Sequence, residues 1–81
     1  MAIGKISIRP TSHYLLDHSD VDWDLVVMTV LSPTKTHSNK RLGKDRFTYV
    51  KRFKQYIVEV HTKNDFINDK IWVINAFKVA R

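Results

Sequence analysis

Four histidines, several carboxylates and a dense group of lysines and arginines are the side chains of this 81-residue chain that could move protons or hold charge. In RFTYVKRFKQYIVEVHT, residues 46–62, apolar positions alternate with Arg46, Thr48, Glu59 and His61. An imidazole, a guanidinium, a carboxylate and a hydroxyl on one open sheet face are the parts that metal-independent RNA cleavage needs. A base takes the 2′-hydroxyl proton, an acid protonates the leaving 5′-oxygen, and cations stabilise the phosphorane-like transition state. Histidine suits either proton-transfer role because its reference pKa is about 6.5. Arginine recognises phosphate through two parallel hydrogen bonds. The plainer alternative for His61 is a half-exposed strand histidine paired with Glu59.

The other histidines point less sharply. His13 and Asp17 stand four apart, so on a helix the carboxylate can orient the ring, or the two simply pair on the surface. His18 falls at a break between two expected helices, where it can instead meet a helix C-terminus. His37 lies in a basic loop or short strand. None has the spacing of a zinc motif, and there is no cysteine, so neither a metal site nor a disulfide is expected. Gly4 and Gly43 are the only glycines, which leaves no phosphate-binding loop; no cofactor is expected.

The charge of +6 is concentrated. Lys35, Lys40, Arg41, Lys44, Arg46, Lys51, Arg52 and Lys54 face only Asp45 in their stretch, giving it +7 and leaving the rest about neutral. Such a patch attracts polyanions, RNA or DNA first, an acidic protein second. With 43% hydrophobic and 27% charged residues the chain should fold as one domain, 1–81. No apolar run approaches the roughly 20 residues of a membrane span. MAIGKISIRP lacks the apolar core of a signal peptide, so a cytoplasmic, membrane-free protein is expected.

The elements that must position these groups can be read from periodicity. Ile6 and Ile8, alternating with Lys5, Ser7 and Arg9, predict a short strand ended by Pro10. Thr11 or Ser12 caps a helix over HYLLDH; Ser19 and Asp20 cap a second over DVDWDLVVMTVLS, which Pro33 stops. The second helix is apolar on most of its circumference and should be buried. A short strand near 36–38, a basic loop through Gly43, then RFTYVKRF, YIVEVHT and KIWVINAFKV follow, with KNDFIND between the last two. The expected fold is α+β, β-α-α-β-β-β(-β), with two helices on one face of a small antiparallel sheet. A hairpin turn centred on Phe53 and Lys54 would set Phe47 opposite Val60, Tyr49 opposite Val58 and Lys51 opposite Tyr56 on the core face. Arg46 would then oppose His61, Thr48 would oppose Glu59 and Val50 would oppose Ile57 on the other.

With these segments placed, the chain resembles the BrnT-type toxins and their short relatives, in a larger group sharing the fold of RelE, ParE and the barnase and colicin-D-like ribonucleases. The residues that carry the resemblance are "TSHYLLDHSDVDWDLVVMTVLSP", "GKDRFTYV" and "YIVEVHT…KIWVINAFKVAR", over about residues 6 to 81. It implies a ribonuclease toxin neutralised by a cognate antitoxin, with Arg46, His61 and Lys78 at the site and His13 or His18 contributing from the first helix. Where BrnT-type toxins tend to have arginine before the lysine of the last strand, this chain has Phe77.

Three functions compete. In the first, a toxin-like endoribonuclease acts on RNA such as ribosome-associated mRNA or tRNA. His61 transfers protons there, Arg46 and Lys78 meet the phosphate, and Lys40, Arg41 and Lys44, with Lys51, Arg52 and Lys54, hold the backbone. The second is a non-catalytic RNA- or DNA-binding module in which Phe47, Tyr49 or Phe53 stacks on bases. The third is a protein-interaction domain, accessory or immunity-like.

Overall fold

The computed structural model describes residues 2–3, 6–17 and 20–81, Ala2 and Ile3 as backbone alone. Lys5, His18 and Ser19, with the roles expected of them, lie outside the described residues. In chain order the elements are β1 (Ala2–Ile3), β2 (Ile6–Pro10), α1 (Ser12–Asp17), α2 (Trp23–Leu31), β3 (Lys35–Ser38), β4 (Arg46–Arg52), β5 (Tyr56–Asp65) and β6 (Lys70–Ala80). They form one six-stranded sheet in the order β1-β2-β6-β5-β4-β3. The fold is α+β, but the sheet is mixed rather than antiparallel, and β1 adds a strand before the expected first. β2 runs parallel to β6, which their long connection through the helices and the rest of the sheet permits; a tight turn between neighbours would have forced them antiparallel.

Both helices lie on one face. Thr11 caps α1: its hydroxyl accepts the Tyr14 N–H at 3.3 Å and donates to the Val73 carbonyl at 2.7 Å, tying the helix start to β6. From α2, Val26, Val27 and Val30 meet Val58, Val60, Val73 and Ala76 of the sheet, with Ile8, Tyr14 and Val21 completing the core. Met28 and Leu31 stay exposed, so α2 buries a stripe rather than its whole circumference. Its C-terminal carbonyl at Ser32 accepts a hydrogen bond from Lys51 Nζ at 2.7 Å, a cation where the helix dipole is negative.

The β4–β5 register differs from the expected one by two residues. Phe47 aligns with Thr62, Tyr49 with Val60, Lys51 with Val58, Thr48 with His61 and Val50 with Glu59. The turn is Lys54–Gln55, since Phe53 and Tyr56 both remain in the ladder: Phe53 N–H donates to the Tyr56 carbonyl at 2.8 Å and their rings stack at 5.0 Å. A shift of two keeps every side chain on its expected face.

β6 departs from simple alternation. His61 aligns with Asn75 but Thr62 with Val73, so Ile74 is an extra residue in the ladder. Val73 and Ala76, three apart, therefore both point into the core, and Asn75 and Phe77 turn to the opposite face. At the far end of the β5–β6 hairpin Asp65 accepts hydrogen bonds from Ile67 N, Asn68 N and Asn68 Nδ2 at 3.2, 3.1 and 2.8 Å. These, the Asn68 side chain foremost, hold its carboxyl below the usual carboxylate range. The turn is thus held above the unfolded-state value for aspartate and loosens as pH falls through the lower native one.

Tyr14 donates its hydroxyl to the Val21 carbonyl at 2.6 Å from within the core. Burial first, then Asp22 and Asp20, raises its phenol pKa. The native state keeps this proton where the unfolded chain has released it, so the contribution is whole below about pH 10 and is lost as pH rises through the native value. Tyr14→Phe is expected to cost roughly 1–3 kcal/mol at neutral pH, by leaving a buried carbonyl unpaired. It should also flatten the alkaline fall in stability; urea unfolding at pH 7 and across the alkaline range checks both.

Candidate active site

On the face away from the helices, one line of side chains crosses four strands. His37 of β3 aligns with Thr48 of β4, Thr48 with His61 of β5, and His61 with Asn75 of β6. Residues directly opposite share a face, and strand spacing sets His37 and His61 about 9.5 Å apart at the backbone. The next line toward the β4–β5 turn holds Lys35, Val50, Glu59 and Phe77. His61 and Glu59, two apart on β5, meet at 2.8 Å through Nε2 and Oε2. The Asn75 amide nitrogen stands 3.4 Å from His61 Nδ1, and Phe77 packs edge-on to the ring at 5.5 Å between centroids.

An amide nitrogen donating to Nδ1 leaves Nε2–H to donate to Glu59. Asn75 Oδ1 is buried without a hydrogen-bond partner among the described residues. Turned over, the same amide would present that oxygen to the Nδ1 side of the ring.

The loop between β3 and β4 folds over this line. Asn39 takes the Arg46 carbonyl through its N–H at 2.9 Å and donates its side-chain amide to Thr48 Oγ1, which is why Thr48 is buried on an otherwise open face. Lys40 and Arg41 hang at the rim of the resulting cleft of about 610 Å³, whose floor is His37, Thr48, Glu59 and His61. Gly43 makes the loop's return with φ 144°, where a Cβ would stand 2.9 Å from Asp45 Oδ1.

The expected residues divide. His61, Arg46, Lys40 and Arg41 share this side, with Arg46 one line beyond His61 rather than opposite it, aligned with Lys63. Arg52 lies on the same face beyond Val50; Lys44 and Lys54 are exposed in the loop and the turn. Lys78 is on the other face: past Ile74 it aligns with Val58, and its Nζ rests 4.9 Å from the Tyr56 ring. Lys51 is there too, on the Ser32 carbonyl. His13 pairs with Asp17 at 3.3 Å on α1, across the sheet from His61. Phe47, Tyr49 and Phe53 likewise face the helix side and are no stacking platform for the cleft. His37 and Asn75 were not singled out from sequence; the only signal for His37 was its alternation with Lys35 in KTHS, and its partner strand is set by tertiary structure.

Among the described residues no three of His, Cys, Asp and Glu converge on a metal position, and no helix is long and apolar enough to cross a membrane. No protein-family model matches the chain, and neither a curated protein nor a solved structure matches it.

Gly43→Ala should lower the unfolding free energy by about 1–3 kcal/mol, since no L-residue adopts φ 144° without strain. Thermal unfolding reads the loss, and the His37 and His61 ring resonances should move as the loop over them shifts.

Proposed function

We propose that this protein is a toxin-like endoribonuclease that cuts RNA by side-chain acid–base chemistry on the helix-free face. The observation that carries the reading is the His37–Thr48–His61–Asn75 line beneath the Lys40–Arg41 rim, with Glu59 bonded to His61. Glu59 is the outer member of its pair, its side chain 43% exposed against 27% for His61, so a bound 2′-hydroxyl meets the carboxylate first with the imidazole behind it. The Glu59–His61 pair takes the 2′-hydroxyl proton as the 2′-oxygen bonds to phosphorus. The bond from phosphorus to the 5′-oxygen breaks, and a protonated His37 gives that oxygen its proton, leaving a 2′,3′-cyclic phosphate and a 5′-hydroxyl. Lys40 and Arg41 face the charge that develops on the phosphoryl oxygens. The toxin–antitoxin setting rests on the resemblance of residues 6–81 to the BrnT-type group.

The test is cleavage of RNA by the purified protein between pH 5 and 8. His61→Ala is expected to reduce the rate by roughly 10²–10⁴ with little change in RNA affinity, and His37→Ala to act in the same direction. Lys78→Ala, altered on the other face, should cleave as wild type. With about four phosphates held, log K should fall against log salt with a slope near −3. Wild type that binds RNA but cleaves no faster than His61→Ala would make the face a binding surface, with Phe77 beside His61 in place of the arginine that the resemblance implies.

A further inference from the structure

The line next to the histidines, away from the β4–β5 turn, has a different chemistry. Arg46 of β4 aligns with Lys63 of β5, Lys63 with Trp72 of β6, and Trp72 with Arg9 of β2. Arg9, Lys63 and Trp72 leave the helix-free face, because their chain neighbours Ile8, Thr62 and Val73 are buried on the other, and Arg46 joins them by its pairing with Lys63. Lys70, two residues before Trp72 and on the same face, sets its Nζ 5.7 Å from the centroid of the Trp72 ring. A large aromatic on the open side of a sheet, outside the core, with Lys63 and Arg9 as its ladder partners and Lys70 against its ring, is not explained by packing. Trp72 lines a shallow depression of about 440 Å³ with Lys63, and its far side is formed by Asp45, Asp65 and the apolar Phe66 and Ile67 of the β5–β6 turn, so phosphate is met on the Lys63 side only.

An aromatic plane with cations at its margin offers what a nucleotide presents, a π-face for the base and charge for its phosphate. We propose that this line is a nucleotide subsite: an unpaired base stacks on Trp72 while Arg46, Lys63 and Arg9 hold the adjoining phosphate, so that the protein takes single-stranded RNA. The placing of this nucleotide next to the scissile one rests on the ribonuclease reading; the stacking subsite itself does not. Same-face neighbours such as His61 and Lys63 are about 6.7 Å apart along a strand, comparable to one step of an extended polynucleotide. The strand would thus advance one nucleotide per line across the sheet. A duplex is refused because its bases already stack on each other and present no free face.

Trp72 and Trp23 are the two tryptophans, and Trp23 packs against Tyr14 on the helix side, which makes it an internal control. The full chain is labelled with 5-fluorotryptophan, its two fluorine signals are assigned with Trp72→Phe, and a 2′-O-methyl hexanucleotide, which cannot be cleaved, is titrated in. The Trp72 signal should shift while the Trp23 signal stays, and a duplex of the same sequence should move neither. Trp72→Ala should weaken hexanucleotide binding about tenfold to a hundredfold, with Trp72→Phe keeping most of the affinity. A hexanucleotide that fails to bind, or binds without moving the Trp72 signal, or binds Trp72→Ala as tightly as wild type, overturns the subsite. Cleavage of RNA by wild type with a silent Trp72 would sink the subsite and leave the ribonuclease reading; a shifted Trp72 with no cleavage would do the reverse.

Discussion

A single extra residue in one strand decides what each face of this sheet can do. Up to Val73, β6 follows the alternation that began at Lys70, with Ile71 and Val73 inward and Trp72 outward. Continued without interruption, it would bury Asn75 and Phe77 and expose Ala76 and Lys78 on the helix-free side. The bulge at Ile74 reverses that phase, so Ala76 fills the core and Asn75 comes up beside His61. The same reversal carries Lys78 to the Tyr56 ring and puts Phe77 against His61. The composition of the cleft is therefore a consequence of ladder geometry as much as of residue choice.

A second constraint is the separation of charge between the two layers. Residues 12–34, which include both helices, hold Asp17, Asp20, Asp22 and Asp24 and no lysine or arginine. The helices pack on one face, so that side is acidic apart from Lys51 and Lys78, and most of the strand cations lie on the other. Arg9, Lys35, Arg46, Arg52 and Lys63 all leave the helix-free face by register, and Lys40 and Arg41 join them from the loop. The molecule is therefore electrostatically two-sided, with its positive potential centred on the helix-free sheet face.

Polar groups at the edge of the core are satisfied locally. Beyond the reach of the helices, Thr62 donates to Asn64 Oδ1 at 2.7 Å, and Asn64 Nδ2 donates to the Tyr49 hydroxyl at 3.0 Å. This chain lets β5 keep a buried face where no valine is covered. It also ties β5 to the end of the basic loop, since Asn64 N–H reaches the Asp45 carbonyl at 2.7 Å.

The sequence by itself determined the local elements and their faces. Periodicity two in RFTYVKRF and YIVEVHT marked strands with Tyr49, Val58 and Val60 inward and Thr48, Glu59 and His61 outward, and alternation survives any even shift of register. Pro10, Thr11 and Pro33 punctuated the helical segment where the structure does, because backbone restriction and capping act within a few residues. Only the tertiary structure decided which outward residues meet. The parallel seating of β6 beside β2 brought Arg9 to Trp72, the β3–β4 pairing brought His37 into line with His61, and the Ile74 bulge removed Lys78 and supplied Asn75. These depend on pairings between segments far apart in the chain, whose registers are set by how valines and isoleucines fill one shared core, and no local pattern of residues encodes that packing.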